Sequence, residues 1–226
     1  MFTPLLIAAA IGYLLGSLPF GYLVARAKGV NIFEVGSKSS GATNVRRVLG
    51  NGPGYLVFFL DAVKGALAAG WPLAVARGWS SDMGVGPSIT TMAIGNLTVF
   101  DYQSVAAMAA AGLFGALVGH SFSCFTKFRG GKGVATGVGG FAVLFPWGAL
   151  IAVSAFALVL ALTRYVSLGS MVGAVTLPVS AWLLHQPKLI IGVSAAVAVF
   201  VVVRHRANIS RLLAGTENKI GRAAQP

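Results

Sequence analysis

The chain has a single cysteine, Cys124, only five acidic residues, and a charged fraction of 10% in 226 residues. One cysteine excludes an intrachain disulfide and any metal site built from several thiolates. Its reading here is a small apolar filler at a helix end. A soluble domain carries about 25% charged residues, so the low charge excludes an ordinary soluble fold. With 56% hydrophobic residues and a mean hydropathy of +0.82, the chain reads as a polytopic membrane protein of the all-α class. No soluble domain remains to present a basic face, so nucleic acid is excluded as a partner. No repeat divides the sequence into similar halves, which disfavours transporters built from duplicated bundles. No basic segment precedes the first apolar run; Arg26 and Lys28 follow it. That order predicts an uncleaved first span with the N-terminus outside.

What is abundant is positive charge: 17 Lys and Arg against the five acids give a formal net charge of +12. Apolar runs lie at about 4–25, 54–77, 104–122, 133–163, 166–184 and 188–203. A span takes about 20 residues, so 133–163 is long for one helix. Pro146-Trp147-Gly148 at its centre is a turn signal, and two short helices there make seven transmembrane spans. Seven spans place every Lys and Arg on the inner side except Arg77, Lys188 and the intramembrane Lys64. Six spans would move the tail outside and weaken that bias, so the positive-inside rule favours seven, with the C-terminus cytoplasmic. The segment 83–100 is expected to be an extended outer loop, and residues 1–226 one integral membrane domain.

The inner charges are concentrated in three polar blocks: GSKSSGATNVRR (36–47), KFRGGKG (127–133) and RHRANISRLLAGTE (204–217). Positive-inside topology needs only the cations. These blocks also hold Gly, Ser, Thr and Asn, the residue types that bring backbone N–H groups and small donors up to an anion. In the first, Ser37, Thr43, Asn44 and Arg47 are candidate phosphate ligands, read as a loop turned by Gly36 and Gly41. In the second, Gly130, Gly131, Lys132 and Gly133 lead into an apolar helix whose N-terminus favours negative charge. The pattern is not a Walker A loop, which would need glycine where Thr126 stands. In the third, Arg204, Asn208 and Arg211 share a face if the segment is helical. Glu217 there is either an ion-pair partner or a base.

Asp61 and Lys64 lie three apart inside the second apolar run. Ionisable groups at that depth are costly and face partners or a cavity; a structural pair is the plain expectation. His120 reads as a neutral cap for a nearby carbonyl. It does not belong to an HxxxxD acyltransferase box, because position 125 is phenylalanine.

Taken in order, GSLPFGYLVAR (16–26), GSKSSGATNVRR, FFLDAVKGALA (58–68), GHSFSCFTKFRGGKGVAT (119–136) and RHRANISRLLAGTE resemble the bacterial acyl-phosphate:glycerol-3-phosphate acyltransferases, the PlsY family. The resemblance covers nearly the whole chain. It implies a seven-span enzyme of the bacterial inner membrane with its three blocks on the cytoplasmic side. It implies acyl transfer from acyl phosphate to the 1-hydroxyl of glycerol 3-phosphate, yielding lysophosphatidic acid for phospholipid synthesis. Carried over by block, Ser37, Arg47, Lys132, His205 and Glu217 are the expected catalytic residues. Thr43, Asn44, Gly130, Gly131, Gly133 and Asn208 are expected to bind substrate, and the glycine-rich block is associated with glycerol 3-phosphate. The family's GSGNPGATN reads GSKSSGATN here, its proline after HxF is Ser123, and FKGGKG is FRGGKG.

Both implied substrates carry phosphate, and an acyl phosphate is an activated anhydride whose carbonyl needs neither metal nor cofactor. Direct transfer is expected, since the sequence shows no Ser-His-Asp or Cys-His arrangement. The proton acceptor stays open between His205, Glu217 and a phosphate oxygen. Membrane lipids are the remaining expected partners. Two competing readings are a transporter of a phosphorylated solute and a lipid-gripping structural protein. The first expects polar residues in mid-span on several helices, and the second does not account for small polar residues beside the cations.

Overall fold

The computed structural model describes residues 2–82, 93–94, 97–98 and 102–221. The expected outer loop falls mainly outside them. Its described part pairs Ala93 with Thr98 and Ile94 with Leu97 in an antiparallel hairpin of strands β1 (Ala93–Ile94) and β2 (Leu97–Thr98). The rest of the regular structure is helical. In chain order the helices are α1 (Phe2–Ser17), α2 (Phe20–Arg26), α3 (Ala42–Leu49), α4 (Asn51–Asp82), α5 (Tyr102–Ser121), α6 (Val134–Leu144), α7 (Pro146–Thr163), α8 (Val166–Leu183), α9 (Lys188–Arg204) and α10 (Arg206–Leu213). They form two compact units, residues 1–144 and 145–226.

Among the described residues, five helical segments are long and apolar enough to cross a membrane: Phe2–Arg26, Asn51–Ala76, Gln103–Thr126, Pro146–Thr163 and Val166–Leu183. The pair α9–α10, bent by 58°, makes a sixth if counted as one span. Helix α6, with 11 residues, is shorter than a full crossing. The run 133–163 does divide. Phe145 caps the second helix and Pro146 opens it, because proline's missing N–H costs nothing in the first turn. The first run also breaks, at Leu18-Pro19, where a single helix was expected. The larger departure is α3. Residues 42–49 form a helix rather than a loop, because Gly41 is extended, ATNVRRVL contains no breaker, and Gly50 ends it at φ +91°.

Apolar burial between spans gains little where lipid is as apolar as the partner, so close backbone approach does the work. In the first unit α1 and α5 meet along such a seam. A Cβ on Gly12 would lie 2.0 Å from the Gly112 carbonyl oxygen, and one on Gly115 would lie 2.2 Å from that of Ala9. Gly65 and Gly139 make the matching contact between α4 and α6. Pro72, inside α4, cannot donate to the Ala68 carbonyl. The residue backed against that oxygen is Gly112, where a Cβ would come within 2.2 Å.

Gly112→Ala is expected to destabilise the detergent-solubilised protein by about 1–3 kcal/mol through overpacking. Gly192, mid-helix in α9, has nothing within 4 Å of a built Cβ, so Gly192→Ala should be neutral or stabilising. Melting curves for the two variants check this, and equal shifts would contradict the seam.

Candidate active site

The first block is organised around a buried side chain. Asn44, 2% exposed, points from α3 into the preceding loop. Its Oδ1 accepts from the Ser37 N–H at 2.7 Å. Its Nδ2 faces the carbonyls of Ser39 at 2.9 Å, Val35 at 3.2 Å and Ile32 at 3.4 Å. A donor face toward carbonyls and an acceptor face toward an N–H fix the amide's orientation. Gly36, at φ +57°, passes so close that a Cβ there would meet Asn44 Oδ1 at 2.3 Å. Beneath the loop, Ala25, Ile32, Phe33, Val45 and Val57 form a small apolar core. The outer surface carries Ser37, Thr43 and Arg47, all exposed, with Thr43 and Arg47 one helical turn apart on the same face of α3.

The second block docks on the first. The Ser39 hydroxyl donates to the Gly130 carbonyl at 3.4 Å and accepts from the Gly41 N–H at 3.3 Å. Arg129 donates to the Phe33 carbonyl at 2.9 Å, and its guanidinium carbon lies 4.6 Å from the Phe33 ring centre. Phe33 in turn stacks on Tyr22. Lys127 and Phe128, at φ +54° and +57°, turn the chain sharply back, and Gly133 at φ +82° delivers it into α6. Half-buried Lys132 therefore stands immediately before a helix N-terminus whose first N–H groups have no intrahelical acceptor.

Asp61 and Lys64 form an ion pair at 2.7 Å, both buried. Lys64 also donates to the Leu18 carbonyl at 2.9 Å, in the break between α1 and α2. Asp61 further faces His120 Nδ1 at 3.5 Å. His120 thus has an acidic neighbour that its surroundings in sequence do not reveal.

The third block lies in the second unit. His205, 2% exposed, occupies the bend between α9 and α10. Its Nδ1 lies 2.7 Å from the Val201 carbonyl, an acceptor, so Nδ1 carries the proton. Glu217 takes the pairing role. It accepts from Ser167 at 2.8 Å, Asn208 at 2.6 Å and Arg211 at 2.7 Å. Burial pushes its carboxyl up, but the bonds from Asn208, Ser167 and Arg211, with the Arg211 charge, outweigh it and hold the group below its ordinary value. A carboxylate so held is a poor base. The amide of Asn208 is correspondingly engaged with Glu217. Cys124 is exposed at the start of a single 3₁₀ turn, Cys124–Thr126, not packed as a filler.

The sequence matches the family described as glycerol-3-phosphate acyltransferase over residues 6–215. The chain belongs to that family. It is an acyltransferase and an integral membrane protein. It is 43% identical over 216 residues to the glycerol-3-phosphate acyltransferase of Synechococcus elongatus, covering 94% of this chain and 93% of the relative. It is 40% identical over 208 residues to that of Fusobacterium nucleatum, covering 92% and 93%. Two crystal structures of PlsY, an integral membrane glycerol 3-phosphate acyltransferase, share the fold at 32% identity. The glycerol 3-phosphate form has TM-score 0.78 and covers 96% of both chains, and the lysophosphatidic acid form has TM-score 0.76 and covers 96% and 95%.

Against the family's pattern, the residues particular to this chain have local explanations. Lys38, standing at the family's glycine, adopts φ +55°, a conformation glycine takes more readily. Ser39 supplies the hydroxyl that joins the two blocks. Ser123, in place of proline, donates to the Ser17 carbonyl at 2.6 Å and accepts from the Phe125 N–H at 3.2 Å.

The depressed Glu217 pKa makes a signed prediction. Its stabilisation is complete above the ordinary value of 4.5 and is lost as pH falls through the lower folded value. Glu217→Gln should melt below wild type at neutral pH, and the gap should close in acid. A gap that widens on acidification would contradict the pairing role.

Proposed function

We propose that the chain transfers a fatty acyl group from acyl phosphate to the 1-hydroxyl of glycerol 3-phosphate, releasing lysophosphatidic acid and inorganic phosphate. The observation that carries this reading is the joining of two phosphate-suited blocks through Ser39 and Arg129. The joining brings Gly41, which opens the helix that carries Thr43 and Arg47, to within 3.9 Å of Gly131 Cα for a Cβ built on it. The names of the relatives support the acceptor and the product, and the chemistry of the blocks suits two phosphate groups. We take the location to be a bacterial inner membrane, with seven spans, the N-terminus outside, and the C-terminus and all three blocks cytoplasmic.

In the reaction the glycerol hydroxyl oxygen attacks the acyl carbonyl. A new C–O ester bond forms, and the bond from the acyl carbon to the phosphate oxygen breaks. The departing phosphate takes the electron pair, and one of its oxygens accepts the hydroxyl proton. Because the donor is already activated, the protein's contribution is placement and charge stabilisation. Arg47 offers a planar fork for phosphate oxygens, Lys132 a point charge, and the α6 N–H groups a fixed dipole. Ser37 and Thr43 add small donors, and apolar surfaces of the spans would hold the acyl chain. Asn44 acts through the loop it ties. In the second unit, Asn208 and Glu217 serve to fasten α10, and His205 to hold the bend before it.

Purified wild-type protein should form lysophosphatidic acid from acyl phosphate and not from acyl-CoA or acyl carrier protein. Arg47→Ala and Lys132→Ala should each lose about 10²–10³-fold in turnover while still inserting into membranes. Wild-type-like turnover in both variants would sink the assignment of the site, and product from acyl-CoA alone would sink the donor.

A further inference from the structure

We propose that His120, oriented by Asp61 and Lys64, is a positioning residue that fixes the glycine-rich turn 130–133 for phosphate binding. The proposal rests on the reaction given above. Asp61, Lys64 and His120 are 2%, 3% and 6% exposed, in segments that cross the membrane. Burying a neutralised pair there needs two groups, and replacing it by apolar residues is often neutral for stability. The network has more members than neutralisation requires, and one of them, His120, reaches the glycine-rich turn.

Lys64 joins Asp61 to the Leu18 carbonyl in the α1–α2 break. Asp61 joins Lys64 to His120. His120 Nδ1 faces the Asp61 carboxylate, and the ring's other edge, Nε2, is turned toward the glycine-rich block. There the Gly131 N–H donates to the His120 carbonyl at 3.1 Å. A Cβ on Gly131 would lie 2.2 Å from His120 Nε2, and one on Gly130 would lie 2.1 Å from the His120 carbonyl oxygen. Ring and carbonyl of one residue therefore bound two successive glycines: a Cβ at position 130 would meet backbone, and one at 131 would push the ring aside. The next residues are Lys132 and Gly133, where the α6 N-terminus begins. A ring left to rotate would release the turn from one side and misplace the N–H groups and Lys132 together. Misplacing a binding group by about 1 Å is enough to cost up to roughly a hundredfold.

The test separates positioning from mere charge burial. Full-length Asp61→Asn should lose thermal stability, since it leaves Lys64 buried without its partner. Adding Lys64→Met should restore the melting temperature. If His120 is positioned by the pair, the stable double variant should still show a KM for glycerol 3-phosphate raised about ten- to a hundredfold, with kcat changed far less. His120→Ala should show the same rise, and His120→Asn, which keeps an N–H donor, should recover part of it. Equilibrium binding of glycerol 3-phosphate without any acyl donor should shift equally, so this result does not depend on which donor the enzyme uses. Recovery of KM together with stability in the double variant, or wild-type affinity in His120→Ala, would overturn the proposal.

Discussion

The side-chain amide of Asn44 engages four backbone groups of one irregular loop, its two N–H bonds shared among three carbonyls, while being almost fully buried. Irregular backbone near a membrane cannot leave its polar groups unpaired, because each would cost several kcal/mol where water is scarce. The loop between α2 and α3 has no strand or helix to pair with, and Asn44 supplies what a ladder would. The rest of the surface follows from it. The Ser37 N–H is fixed, Ser39 is placed to hold Gly130, and α3 is set so that Thr43 and Arg47 face outward together.

The glycine-rich turn is bounded from both sides by this arrangement. Ser39 and Phe33 hold it from the first block, and His120 holds it from α5. Below, the spans of the first unit pack through small residues, which lets α1, α4 and α5 come close enough for Asp61, Lys64 and His120 to meet. A bulkier seam would separate the charges, and separated charges at that depth would be unaffordable. Packing in the membrane and geometry at its surface are one problem here, solved by glycines in the spans and in the turn alike.

Much of this was legible in the sequence. Hydropathy indicated the helical class, span length with the Pro146-Trp147-Gly148 turn indicated the division of 133–163, and composition drew attention to the polar blocks. The order of the blocks pointed to the family. What stayed hidden depends on contacts between distant residues. Residues 42–49 look like a polar loop because of their Thr, Asn and Arg pair, although Ala42, Val45, Val48 and Leu49 fall at helical spacing and pack on the small apolar core. Asn44 reads as a ligand until its orientation shows the amide turned inward. His120 has no informative neighbour in sequence, since its partner Asp61 lies on another helix. The span glycines do recur at helical spacing, Gly12 with Gly16 and Gly115 with Gly119, but neither segment says which helix its glycines will face. Glu217 was ambiguous between base and partner, and Ser167, fifty residues away, helps decide it.

The central claim is that the first and second blocks form one anion-binding surface. A double-mutant cycle on equilibrium binding of glycerol 3-phosphate, using Arg47→Ala, Lys132→Ala and the pair, tests it most directly. One shared surface predicts a coupling of about 1 kcal/mol or more between the two changes. Losses that add to within about 0.5 kcal/mol would mean independent sites, and would contradict the account.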